Sequence, residues 1–69
     1  METIYLREDF IKLGQALKAA GLSESGVDAK LVIQNGLVKV NGEVETRRGR
    51  KLFAGDVIEF DGESVQIKD

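Results

Sequence analysis

Gly36-Leu37-Val38-Lys39-Val40-Asn41-Gly42 is the stretch on which the fold turns. Its period is two: Val38 and Val40 point one way, Lys39 and Asn41 the other, and Asn-Gly is a strong hairpin signal. A two-residue turn there would set Val44 opposite Lys39, on the wrong face for an apolar side chain. A three-residue loop with a bulge sets Val44 opposite Val40 instead, and this bulged register is the expectation.

Upstream the period is helical. Asn35-Gly36 stops a helix whose inner face is Ala29, Val32 and Ile33. Ser25-Gly26-Val27-Asp28 opens it as a capping box, with the Ser25 hydroxyl accepting from the Asp28 amide and the Asp28 carboxylate reaching back. An earlier helix spans Lys12 to Ala20, with Leu13, Ala16, Leu17 and Ala20 on one face and Gly21 at its C-terminal stop. Gly14 sits near its start. Before it, Thr3-Ile4-Tyr5-Leu6 favours a strand, placed at a sheet edge.

Downstream, Thr46 to Lys51 is polar and basic, a loop or a loosely held strand. Ala54-Gly55-Asp56 turns the chain into Val57-Ile58-Glu59-Phe60, and Asp61-Gly62 turns it into Ser64-Val65-Gln66-Ile67. A two-residue turn pairs Ile58 with Val65 and leaves Ile58, Phe60, Val65 and Ile67 on one face. The expected fold class is α+β, two helices packed on one side of a small antiparallel β-sheet.

The chain has 69 residues, the size of one domain (1–69), and neither Cys nor His. That composition excludes a disulfide framework, Cys or His zinc sites, and Ser-His or Cys-His catalytic pairs. No apolar run approaches the ~20 residues of a bilayer-spanning helix, and no basic-then-apolar leader opens the chain. A soluble cytoplasmic protein without membrane contact is expected, and a monomer, because no long apolar face is left unused. The carboxylates Glu43, Glu45, Glu59, Asp61 and Glu63 lie in or beside hairpins, where they serve solubility and edge protection. Glu59 to Glu63 lacks the ligand spacing of a calcium loop, and the glycines form no phosphate-binding fingerprint. No catalytic residue, metal ligand or cofactor is expected.

The net charge of −2 hides a distribution. Residues 12–51 carry eight bases (Lys12, Lys18, Lys30, Lys39, Arg47, Arg48, Arg50, Lys51) against four acids, whereas both flanks are acidic. Association responds to the local field rather than to the total. Arg47-Arg48-Gly49-Arg50-Lys51 puts four cations in five residues, and arginine forks match phosphate oxygens in pairs. With Lys12, Lys18 and Lys30 brought to the same side, it would make one basic face. Tyr5, Phe10, Phe53 and Phe60 read mostly as core, which leaves little for base stacking.

Taken in order, Lys12-Leu13-Gly14-Gln15-Ala16-Leu17, Gly21-Leu22, Ser25, Ala29-Lys30, Ile33, Gly36, Val38, Val40-Asn41-Gly42, Lys51-Leu52 and Gly55-Asp56 form a pattern that resembles the ribosomal S4-type RNA-binding domain, or αL motif. The likeness covers about residues 12 to 60. The Arg-Arg-Gly-Arg-Lys block and short length are similar to its free-standing bacterial YaaA/YbcJ-like branch. The resemblance implies structured RNA, commonly ribosomal, as the ligand, with the ribosome itself a possible partner. By position, Lys12 stands where the family often opens helix one with Arg, and Ser25 and Lys30 match the helix-two cap and its basic residue. Gly26 stands where Arg or Lys is usual, and Gly14 where Asp is usual.

The reading of the sequence is thus a non-catalytic module that docks Lys12, Lys18, Ser25, Lys30, Arg47, Arg48, Arg50 and Lys51 on folded RNA, rRNA or a ribosome-associated species. The alternative is a protein-protein adaptor using the acidic C-terminal hairpin or a strand edge.

Overall fold

A computed structural model describes residues 2–69. Strand β1 (Glu2–Tyr5) and the short β2 (Ile11–Lys12) lead into helix α1 (Leu13–Ala19), followed by α2 (Gly26–Gln34). Then come β3 (Val38–Val40), β4 (Glu43–Val44), β5 (Lys51–Leu52), β6 (Val57–Phe60) and β7 (Glu63–Lys68). The main sheet runs β1-β7-β6-β3-β4, and β2 with β5 forms a separate two-stranded ribbon.

The α+β class stands, with one difference in the sheet. The edge strand β1 pairs with β7 in parallel, Glu2 opposite Val65 and Tyr5 opposite Lys68, so the sheet is mixed rather than wholly antiparallel. Parallel neighbours need a long crossover, and here everything between the chain's first and last strands serves as that connection. Turn residues signal hairpins only, so local chemistry carries no trace of this pairing.

Both helices end alike. Gly21 and Gly36 each adopt φ +75°. At the first, the Gly21 amide donates to the Lys18 carbonyl and Leu22 to Leu17; at the second, Gly36 donates to Ile33 and Leu37 to Val32. These are paired Schellman caps, which satisfy carbonyls the helix leaves unpaired. At the start of α2 the Ser25 hydroxyl accepts from the Asp28 amide at 3.2 Å. Only this half of the expected box forms, because the Asp28 carboxylate is one methylene shorter than the usual Glu.

The bulged hairpin is overturned. Asn41 (φ 53°) and Gly42 (φ 85°) are both left-handed, the type I′ turn whose twist matches that of paired strands. Lys39 therefore faces Val44, and Val40 faces Glu43. Val44 pays no large penalty as the last residue of a two-residue edge strand, and it lies exposed. The Asp61-Gly62 turn follows the expected register, Ile58 opposite Val65.

Eleven aliphatic residues form a continuous core: Leu13, Ala16 and Leu17 from α1, Ala29 and Ile33 from α2, Val38, Val40, Ile58, Val65 and Ile67 from the sheet, and Leu52 from β5. Aromatic rings are not part of it. Phe60 and Phe10 are half-buried, while Tyr5 and Phe53 are exposed, against the expectation that all four are mostly core. An interior this small is filled by branched aliphatics, and alternation along β5 turns Leu52 inward and Phe53 outward. The apolar faces are not all used either: Val27 and Leu31, one turn apart on α2, are exposed.

Candidate nucleic-acid interface

The start of α1 is built by the basic loop. The Leu13 amide donates to the Arg50 carbonyl at 2.9 Å and the Gly14 amide to the Arg48 carbonyl at 3.0 Å. The Lys12 amide donates to the Gln15 side-chain oxygen at 3.2 Å. Helix amides that would otherwise face solvent are thus satisfied by the carbonyls of residues 47–51. The loop is held against the helix, with Arg47 and Arg48 exposed and Arg50 half-buried.

Between that loop, the first turns of α1 and the first residue of α2 lies an open groove of about 520 Å³. Lys12, Gly14, Gln15, Lys18, Gly26, Arg48 and Gly49 line it. Three of the expected cations, Lys12, Lys18 and Arg48, therefore converge from two segments thirty or more residues apart. Ser25 caps the helix whose first residue, Gly26, forms part of the wall. A Cβ at Gly26 would meet nothing within 4 Å, so the α2 N-terminus opens on the groove, where its dipole favours an anion.

The other expected residues go elsewhere. Lys30 is exposed on α2 and is not part of the groove lining. Arg47 and Arg50 are taken up by Glu45. The Arg47 side chain forks onto the Glu45 carboxylate with Nε at 3.0 Å and Nη2 at 2.9 Å, its amide adds a bond at 3.0 Å, and Arg50 Nη1 adds another at 3.0 Å. Those bonds from Arg47 lead in holding the Glu45 carboxyl at about 2, with burial pushing the other way. Arg50 is only partly exposed, whereas Arg47 remains open to solvent beyond the pair.

Glu45 is the residue that sequence reasoning missed. The two-residue turn places it opposite Val38, its amide donating to the Val38 carbonyl at 3.0 Å, and so on the buried side of the sheet, only 6% exposed. Taking Asn41-Gly42 at face value would have revealed an inward carboxylate followed by arginines two and five positions on. One acid against four bases still leaves residues 45–51 positive.

Lys51 lies directly opposite Lys12 in the ribbon, with its Nζ 4.7 Å from the centre of the Phe10 ring. Among the described residues no three His, Cys, Asp or Glu gather where they could hold a metal ion. The Glu45 carboxyl is driven further toward the anion, the opposite of what a proton donor at neutral pH requires. The groove can hold anions. No helix in the described residues is long and apolar enough to cross a membrane.

A model of the S4 domain matches residues 4–68. The chain belongs to the S4 domain family. Among its relatives in that family, "Putative RNA-binding protein YbcJ" of Escherichia coli K12 is 49% identical over 57 residues, covering 83% of this chain and 81% of the relative. "Probable ribosome maturation protein RlbA" of Bacillus subtilis 168 is 46% identical over 59 residues, 86% of this chain and 83% of the relative. The solution structure of E. coli YbcJ superimposes with a TM-score of 0.77 at 44% identity, covering all of this chain and 89% of that one, and was described as revealing an αL motif involved in RNA binding. The S4 resemblance noted from residues 12 to 60 thus extends through β1 and β7.

Proposed function

We propose that this S4 domain is a non-catalytic RNA-binding module that seats the phosphate backbone of a structured RNA in the groove between the basic loop, α1 and the start of α2. The observation that carries the reading is the convergence of Lys12, Lys18 and Arg48 beside Gly26, in a chain whose overall charge is negative. Sequence-independent affinity comes from phosphate neutralisation and counterion release, and selectivity from the shape of the folded RNA. The name of the E. coli relative and the description of its structure support RNA as the ligand class, and the name of the B. subtilis protein supports rRNA or a maturing ribosomal particle as its source.

Within the groove, Arg48 offers a planar fork for two phosphate oxygens, while Lys12 and Lys18 act as point charges. Arg47 and Arg50 organise the loop through Glu45, and Arg47 adds to the field from its exposed side.

The test is a salt titration of binding to purified rRNA. With about four phosphates contacted, raising salt from 50 to 200 mM weakens binding roughly 50- to 150-fold, and the triple variant K12E/K18E/R48E binds with a flatter slope. Salt-independent binding, or an unaltered slope in the triple variant, overturns the reading. Failure of the natural chain to bind at low salt returns the adaptor alternative.

A further inference from the structure

The β2–β5 ribbon carries an outward face that the groove does not account for. Ile11 pairs with Leu52 and Lys12 with Lys51, and the next step of that register sets Phe10 opposite Phe53. Leu52 is fully buried and Ile11 packs against the core, so alternation puts Phe10, Lys12, Lys51 and Phe53 together on the other side. The two rings lie 6.2 Å apart at a 53° tilt. Phe53 is 50% exposed.

Two features of this face are costly to a domain on its own. Like charges directly opposite one another destabilise a strand pair, yet Lys12 and Lys51 face each other, and neither ammonium has a carboxylate within ion-pair distance among the described residues. A half-exposed phenylalanine beside them gains nothing from water. A flat π-system joined to a phosphodiester answers both.

From this juxtaposition we infer that the ribbon face is a nucleotide subsite, in which one unpaired base of the bound RNA stacks on Phe53 while an adjoining phosphate sits between Lys12 and Lys51. The inference rests on the RNA reading above and adds a substrate feature to it, an unstacked nucleotide beside the helical part of the ligand. Residues two apart on a strand are separated by about 6.8 Å, a span on the scale of a nucleotide's own reach from base to phosphate. Lys51 is drawn over the Phe10 ring and not over Phe53, which keeps half of its surface exposed. Lys12 belongs to both the ribbon and the groove, so the two surfaces are continuous. The nearby Asp56 carboxylate is engaged by the Phe53 amide at 2.8 Å and the Asn41 side chain at 3.0 Å. Its charge is therefore taken up by those two donors.

The experiment compares two RNA hairpins with the same stem, one fully paired and one carrying a single unpaired 2-aminopurine bulge. Against the full chain, F53A and F53L should weaken binding of the bulged hairpin roughly tenfold, within the range found for loss of one base–aromatic stack. Binding of the paired hairpin should stay within about twofold. The chain has no Trp, so F53W introduces a single indole that should keep the affinity and lose emission on adding the bulged hairpin only. Equal losses on both hairpins, no loss on either, full binding by F53L, or unquenched indole overturns the stacking subsite. If those results coincide with loss of both hairpins in K12E/K18E/R48E, the RNA reading survives without it. Failure of the natural chain to bind either hairpin overturns both.

Discussion

Asn41 donates from its side-chain amide to Asp56 Oδ1 at 3.0 Å, and its side-chain oxygen accepts from the Val57 amide at 3.0 Å. The backbone completes the clasp, with the Asn41 amide donating to the Val57 carbonyl at 2.8 Å. Asp56 in turn accepts from the Phe53 amide at 2.8 Å. Val40-Asn41-Gly42 and Gly55-Asp56, both part of the family pattern, thus hold each other and join the hairpin to the β5–β6 turn. The bonds they make are architectural.

Asn41→Gly keeps the left-handed turn and removes the side-chain bonds. It should lower stability by about 1–2 kcal/mol. Asn41→Ala adds the strain of a left-handed alanine, about a further 1 kcal/mol. Urea denaturation should show both as lower midpoints with unchanged slopes. Equal stability in all three chains would remove the clasp from the architecture.

Glu45 gives the molecule an acid limb. Its carboxyl is lowered from 4.5 to about 2, chiefly by the Arg47 side-chain bonds. A group depressed on folding contributes stability above its unfolded value, and that contribution fades as pH falls from about 4.5 toward 2. Glu45→Gln should therefore be clearly less stable than the natural chain at pH 7, with the gap closing across that window. A gap independent of pH would show that the carboxylate charge is not what the arginines hold.

Arg48 and Arg47 are neighbours with different work. Arg48→Glu should weaken RNA binding roughly tenfold while shifting the melting temperature little, because its side chain lines the groove and its fold contact is the backbone carbonyl. Arg47→Glu instead sets a carboxylate against Glu45, so a lower melting temperature is the expected primary result. Paired measurements of affinity and thermal stability separate the two, and a reversed pattern would move the binding surface toward Arg47.

Gly14 is available for replacement. A Cβ there would stand 3.6 Å from the Arg48 carbonyl oxygen and 3.7 Å from Arg48 Cβ, ordinary contact distances. Gly14→Ala should stabilise by about 0.5–1 kcal/mol through helix propensity, raising the melting temperature by a few degrees. A fall would show that the loop needs the glycine to approach α1.

Local chemistry made much of this legible before any coordinates. Helical spacing located Leu13, Ala16 and Leu17 on one face. Gly21 and Gly36 marked the helix ends, and Asp61-Gly62 set the register of the last hairpin. Of the expected site residues, Lys12, Lys18 and Arg48 line one groove, Lys30 lies outside its lining, and Arg47 and Arg50 are held by Glu45, whose expected place at the surface is the reading overturned. The error traces to one residue of register at Asn41-Gly42, which in a strand exchanges the two faces and carried Glu45 from solvent to interior.

By itself, then, the sequence determined the two helices, the strands β1, β3, β6 and β7 and their order, because period, caps and turn residues act over a few neighbouring positions. Tertiary structure alone decided that β1 lies parallel to β7, that β2 pairs with β5, and that Phe10, Lys12, Lys51 and Phe53 share one face. Those relationships join segments about forty or more residues apart, and pairing at that distance is settled by what the assembled core leaves room for, which no local preference records.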